Sequence, residues 1–245
     1  MTSLPVSRHY TNKRYLLLLS ISVFFVSSCS VTKQVAISPA PLENQILLFS
    51  AETAIQDDWQ PVPIRGETEY RLVAVDGKVA IRATGRYSAS GLMRRVHVQP
   101  AHCPKVQWSW QVDQLQIAAD LGVREKEDVA ASIFFLFGDP GIMISPMAVP
   151  ALRYVWTNEK TPVDTIIDSP YLPGVVKSVV VRNGLARSAW PVESRNILKD
   201  FERAFGYHPT EAIEAVALFT DNDQTKEPVR AYYEWARAIC ITDRR

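Results

Sequence analysis

The sequence predicts an all-β fold: a two-sheet antiparallel sandwich of jelly-roll-like topology with one short amphipathic helix. Three observations predict it. Apolar residues recur with period two from Gln45 onward, turn residues separate about ten such segments, and only Ser194 to Phe205 has helical spacing. With 47% of its 245 residues hydrophobic and 22% charged, the chain can bury a sizeable core and is not a disordered or fibrous protein. No internal repeat, low-complexity block or break divides residues 45–245, so a single sandwich domain is expected there.

The elements before that domain read as an address. Residues 1–14 hold Arg8, Lys13 and Arg14 and no acid, and lead into the apolar run Tyr15 to Val26, interrupted by Ser20 and Ser22. A run of about twelve residues is short of the roughly twenty that cross a bilayer, so it fits a signal peptide better than a membrane span. Val26-Ser27-Ser28-Cys29 resembles the lipobox of bacterial lipoprotein signals. Residues 1–28 are therefore expected to be removed, leaving Cys29 as a lipidated first residue; an ordinary cleaved signal is the alternative. Acyl chains contribute about 0.8 kcal/mol per buried CH2, so the expected partner of Cys29 is a membrane. Ser30, rather than Asp, follows the cysteine, which by the same resemblance favours the outer membrane, with the domain facing the periplasm. Cleavage would take the formal charge from +1 to −2, so attraction to acidic lipid is not the anchor. Residues 29–44, with Pro39 and Pro41, read as a tether.

Within the domain, Tyr70, Leu72 and Ala74 alternate up to Asp76-Gly77, and Val79, Ile81 and Ala83 alternate away from it, as in a hairpin whose turn needs positive φ. Val106, Trp108, Trp110 and Val112 alternate with Gln107, Ser109 and Gln111, giving a half-buried strand. Val129 to Phe137 is apolar on both faces apart from Ser132 and stops at Gly138-Asp139-Pro140-Gly141, as a central strand does. Leu152 to Trp156, Val175 to Val181, Ala215 to Thr220 and Val229 to Ile241 read as further strands. The helix Ser194 to Phe205 has a serine available as N-cap and Gly206 at the position after its end.

Charge and motifs exclude several classes. Twenty-seven basic against twenty-six acidic residues leave no excess to neutralise phosphates, so no nucleic-acid partner is expected. Neither Gly-x-Ser-x-Gly nor His-Glu-x-x-His occurs, and His97, His102 and His208 lack ligand spacing. Once Cys29 is consumed, Cys103 and Cys240 remain, an even pair in an oxidising compartment; a disulfide and two buried thiols are the alternatives. Asp221-Asn222-Asp223-Gln224-Thr225 collects oxygen donors in a turn, where Asp221 and Asp223 suit a structural calcium as well as an ordinary Asx turn. Trp108 and Trp110 share a strand face and are core residues or a glycan platform. Trp59, Trp156, Tyr171 and Trp190 are equally candidates for an exposed platform, and Arg153 for an anionic ligand.

Ser88-Ala89-Ser90-Gly91-Leu92, Val106-Gln107-Trp108-Ser109-Trp110, Ala119-Asp120, Lys126-Glu127-Asp128-Val129-Ala130-Ala131 and Leu152-Arg153-Tyr154-Val155-Trp156 together resemble the bacterial family DUF3047. So do Trp190 with Glu193-Ser194-Arg195-Asn196, Asp200, Phe205-Gly206 and Leu218-Phe219-Thr220-Asp221-Asn222-Asp223. Glu127 and Ser132 stand where the family often has aspartate and arginine. The resemblance implies an envelope-associated β-sandwich and no established activity. It also picks out the acids Asp120, Glu127, Asp128 and Glu193: two acids about 5 to 9 Å apart across a cleft could hydrolyse a glycosidic bond, and a solvated charged loop from Asp120 to Asp128 with Glu193 near the helix N-terminus is the alternative. The expected function is a lipid-anchored, non-catalytic envelope module that binds a glycan or a protein. A carboxylate-dependent glycoside hydrolase and a structural lipoprotein for envelope assembly are the alternatives.

Overall fold

A computed structural model describes residues 44–53, 59–141, 149–185 and 190–241. The chain divides into units 1–40 and 41–245. The first unit, with Cys29 and most of the expected tether, lies outside the described residues. The strands begin with β1 (Gln45–Ser50), β2 (Gln60–Arg65), β3 (Glu69–Val75), β4 (Lys78–Thr84), β5 (Ala89–Val98) and β6 (Lys105–Gln114). They continue with β7 (Ala131–Phe137), β8 (Ala151–Thr157), β9 (Ile166–Asp168), β10 (Val176–Asn183) and β11 (Val192–Asn196). Helix α1 (Ile197–Phe205) precedes β12 (Ile213–Asp221) and β13 (Arg230–Ile239).

The Asp76-Gly77 turn shows how local chemistry sets pairing. Both residues have positive φ, 51° and 74°, which matches the twist of the flanking strands, so β3 and β4 pair antiparallel from Glu69↔Thr84 to Val75↔Lys78. One sheet runs β11-β6-β13-β4-β3, with β1 beside β13; the other runs β2-β5-β12-β7-β8-β10-β9. Pairing is antiparallel except between β8 and β10, which run parallel. Pro61 and Pro63 lie on edge strand β2, where a missing N–H costs no ladder bond. Leu72 pairs with buried Ile81 yet is half exposed, because β3 is the free edge of its sheet.

The two sheets close on one core. Val106, Trp108, Trp110 and Val112 of β6 meet Ile133, Phe135 and Phe137 of β7 and Tyr154 and Trp156 of β8, all buried. Trp108 stacks on Tyr154 at 4.9 Å between ring centroids, and Trp110 lies 5.9 Å from Trp156. Strand β7 is buried along its whole length, because Phe134 and Leu136 join a second apolar cluster with Ala217, Phe219 and Met93. The small polar residues of Ser88-Ala89-Ser90 form a buried tie: Ser90 Oγ accepts from Thr68 N (2.7 Å), and Thr68 Oγ1 donates to the Thr220 carbonyl (2.8 Å).

Two expectations need correction. Residues Ser194 to Asn196 form part of β11 instead of opening the helix, and the N-cap is Asn196, whose side chain accepts from Lys199 N (3.0 Å). Thirteen strands appear among the described residues rather than about ten, since short or weakly alternating β2, β9 and β11 were not anticipated. Gly206 ends the helix in the left-handed region, φ 80°. A disulfide joins Cys103, on the β5–β6 connection, to Cys240 at the end of β13, across 137 residues.

Candidate functional site

The structure assembles two places where side chains gather for more than packing. The first lies at the end of β12, against the connection that enters β7. Asp221 closes β12, and its Oδ1 accepts from Val129 N (2.7 Å). Asp128 is fully buried; its Oδ1 accepts from Gln224 N (3.2 Å) and its Oδ2 from Thr225 N (2.6 Å) and Thr225 Oγ1 (2.5 Å). Asp223 is also buried and lies 3.3 Å from Arg65 through Oδ2, while its Oδ1 is sealed from solvent without a hydrogen-bond partner. One carboxylate oxygen from each of Asp128, Asp221 and Asp223 lies within 4.8 Å of the others.

Charge crowding marks the cluster. Burial, then the negative charges of Glu127 and Asp128, push the Asp221 carboxyl well above its ordinary value, with Arg153 opposing. Burial and Asp128 likewise raise Asp223, with Arg65 opposing. Beside the cluster, Arg153 is buried, donates to Glu127 Oε1 and, through Nε, to Ser178 Oγ (2.8 Å), and lies over the Phe134 ring at 5.6 Å. Tyr171 is partly exposed, with the Arg124 guanidinium 4.7 Å from its ring centre and Gln224 Nε2 donating to its hydroxyl (2.9 Å).

The second place is the outer face of the sheet that contains β6 and β13. Side chains of directly paired residues share a face, so Gln111, Tyr232, Arg82 and Arg71 form one row across β6, β13, β4 and β3. The Trp190 ring lies edge-on to Tyr232 at 6.0 Å, with Lys78 Nζ 5.7 Å from its centre. Its indole N–H points to Asp76 Oδ2 (3.3 Å). Trp235, paired with Ser109, lies under the Arg237 guanidinium at 4.7 Å, and Tyr232 donates to Asp113 (3.0 Å). Gln111 Oε1 and Arg82 Nε are buried without partners on this face.

Against these two places the expected site residues fall unevenly. Asp128, Asp221 and Asp223 come together, and Trp190 is part of the outer face. Asp120 and Glu193 do not join the carboxylate cluster. Asp120 Oδ1 accepts from Gly122 N (3.1 Å) within its own loop, and Glu193, on edge strand β11, is held by Arg182 Nε (2.7 Å) and Trp110 Nε1 (3.4 Å). Trp156 is fully buried with its N–H on the Gly184 carbonyl (2.7 Å), so it is no platform, and Trp108 and Trp110 are core for the same reason. Trp59 packs edge-on to Phe49 (5.6 Å) at the rim of the core, and Arg153 has spent its charge on Glu127. Tyr232, Trp235, Gln111 and Arg82 were not anticipated; the alternation Gln107, Ser109, Gln111 was the available signal, since it marks the outer face.

The sequence profile of the family described as "Protein of unknown function (DUF3047)" matches residues 57–236. The chain belongs to the DUF3047 family. No curated protein matches it. Similar solved structures include a family 11 carbohydrate-binding module from Clostridium thermocellum in complex with a β-1,3-1,4-mixed-linked tetrasaccharide. That likeness has 8% identity and a TM-score of 0.42, over 80% of this chain and 96% of that one. The CBM22-1 xylan-binding domain of Paenibacillus barcinonensis Xyn10C is similar at 13% identity and a TM-score of 0.37, over 82% of this chain and 99% of the other. The DUF3047 chain also resembles the endo-1,4-β-glucanase CelB2 at 12% identity and a TM-score of 0.40, over 82% and 100% of the two chains.

Proposed function

We propose that this DUF3047 protein is a lipid-anchored envelope module that binds a glycan on the outer face of the β11-β6-β13-β4-β3 sheet. One observation supports the reading above others: Trp190, Tyr232 and Trp235 lie on that face among amide, acid and guanidinium groups. The half-buried rings of Trp190 and Trp235 offer apolar faces to the C–H side of a sugar, while planar polar side chains orient its hydroxyls. Gln111 and Arg82, both partly exposed on this face, offer amide and guanidinium groups to a hydroxyl-rich ligand.

The test is co-sedimentation of the purified protein with peptidoglycan and a panel of insoluble polysaccharides. Saturable retention on one of them is expected, with Trp190→Ala weakening it at least tenfold while Trp59→Ala leaves it unchanged. Retention on none of them overturns the glycan reading and directs cross-linking toward an envelope protein partner. The address is tested separately by palmitate labelling, which is expected to vanish in Cys29→Ala. Equal labelling of the two proteins ends the proposal of a lipid anchor.

A further inference from the structure

We propose that Asp128, Asp221 and Asp223 hold one hard divalent cation, calcium, in a closed site that ties the connection before β7 to the turn between β12 and β13. Four features of the cluster point to it. The donors are carboxylate oxygens, which suit a hard ion rather than zinc or copper. All three oxygens lie within 4.8 Å of one another, close enough for one cation with oxygens at about 2.3 to 2.6 Å to reach each of them. Magnesium dehydrates reluctantly and keeps several waters, so a closed, buried site built from protein oxygens suits calcium better.

The third feature is an unmet need inside the cluster. Asp223 is only 6% exposed, and its Oδ1 has no hydrogen-bond partner, a state that costs free energy unless a cation or donor meets it. The fourth is charge. Glu127, Asp128, Asp221 and Asp223 bring four negative charges, and Arg153 and Arg65 return two, so a single divalent ion neutralises the remainder. All three proposed ligands are buried, which suits a structural ion rather than a catalytic one with an open position. The ion would join two segments that already touch through Asp128, Gln224 and Thr225.

This site and the glycan face lie on different sheets, so either inference can fail alone. The purified protein is stripped with EGTA and dialysed against radioactive calcium. One ion per chain is expected, with Asp223→Asn and Asp221→Asn each weakening binding at least tenfold and Asp120→Asn, outside the cluster, leaving it unchanged. Far-UV circular dichroism establishes that each variant is folded. A measurement on the unaltered protein needs no variant: with calcium about a hundredfold above its Kd, Tm is expected to rise by about 5 to 10 °C over the value in EGTA. No bound calcium at about 1 mM free ion, the weak end of protein affinities, overturns the site, as does equal Tm in calcium and EGTA. Undiminished binding in both folded cluster variants overturns it as well.

Discussion

Asp200 is nearly sealed from solvent on the first turns of α1, yet four donors from three elements reach it. Tyr154 Oη donates to its Oδ2 (2.9 Å), Arg195 forks onto both oxygens at 2.8 Å, and Arg203 Nη1 adds 3.1 Å. Arg195 also reaches Asp164 (2.7 Å), so one carboxylate connects helix, β8, β11 and the loop before β9. Removing one partner of such a group leaves the others desolvated and unpaired, which costs more than the pair itself contributes. Asp200→Ala is therefore expected to lower unfolding free energy by about 3 to 5 kcal/mol, read from urea denaturation. Asp200→Asn, which keeps an acceptor for Tyr154, is expected to cost less. The Asp200 motif residue thus has a sufficient structural explanation, in contrast to Asp223, whose buried Oδ1 has no hydrogen-bond partner among the described residues.

At the scale of elements, α1 depends on its ends. Nine residues are too few for a helix to persist on propensity alone, so the Asn196 cap and the packing of Phe201 on Phe137 at 4.5 Å decide whether it forms. Asn196→Ala is expected to cost about 1 kcal/mol of stability, measured by urea titration, because Lys199 N loses its acceptor. The same boundary shows where sequence reasoning stops. The hairpin at Asp76-Gly77 and the strands β6, β7, β8, β12 and β13 were legible, since each writes its burial into its own alternation or apolar run. Strand β11 was not, because Val192-Glu193-Ser194-Arg195-Asn196 has no apolar residue on its core-facing side: Glu193 and Arg195 close the edge of the sandwich by binding Arg182 and Asp200. The parallel pairing of β8 with β10 depends on how a connection crosses, which leaves no local pattern. Asp221 and Asp223 were legible as oxygen donors in a turn. Their union with Asp128 required β12 to lie beside β7, a tertiary fact that no local pattern records.

The described residues of the second unit form two sheets clamped around an aromatic core that contains buried hydroxyls, and those hydroxyls set its behaviour in base. Tyr154 and Tyr233 are fully buried; burial raises both phenols well above their ordinary value, Asp200 raises Tyr154 further, and hydrogen bonding around Thr220 and Ser132 partly opposes the shift at Tyr233. A group whose folded pKa is raised contributes stability that is fully present below its unfolded pKa, near 10 for tyrosine, and is lost as pH rises through the folded value. Between those two values the unfolded chain releases protons that the folded one keeps, so each pH unit there favours unfolding. Alkaline titration followed at 295 nm is therefore expected to show a late phase in which Tyr154 and Tyr233 ionise only as near-UV circular dichroism is lost. Tyr233→Phe is expected to remove one phenol from the late phase; if the late amplitude is unchanged, Tyr233 is not among the buried groups that resist ionisation. The Cys103–Cys240 bridge acts on the same transition from the other side, since closing a loop of 137 residues lowers the entropy of the unfolded chain by up to about 5 kcal/mol in free energy. Opening the bridge with reductant is accordingly expected to move the late phase to lower pH.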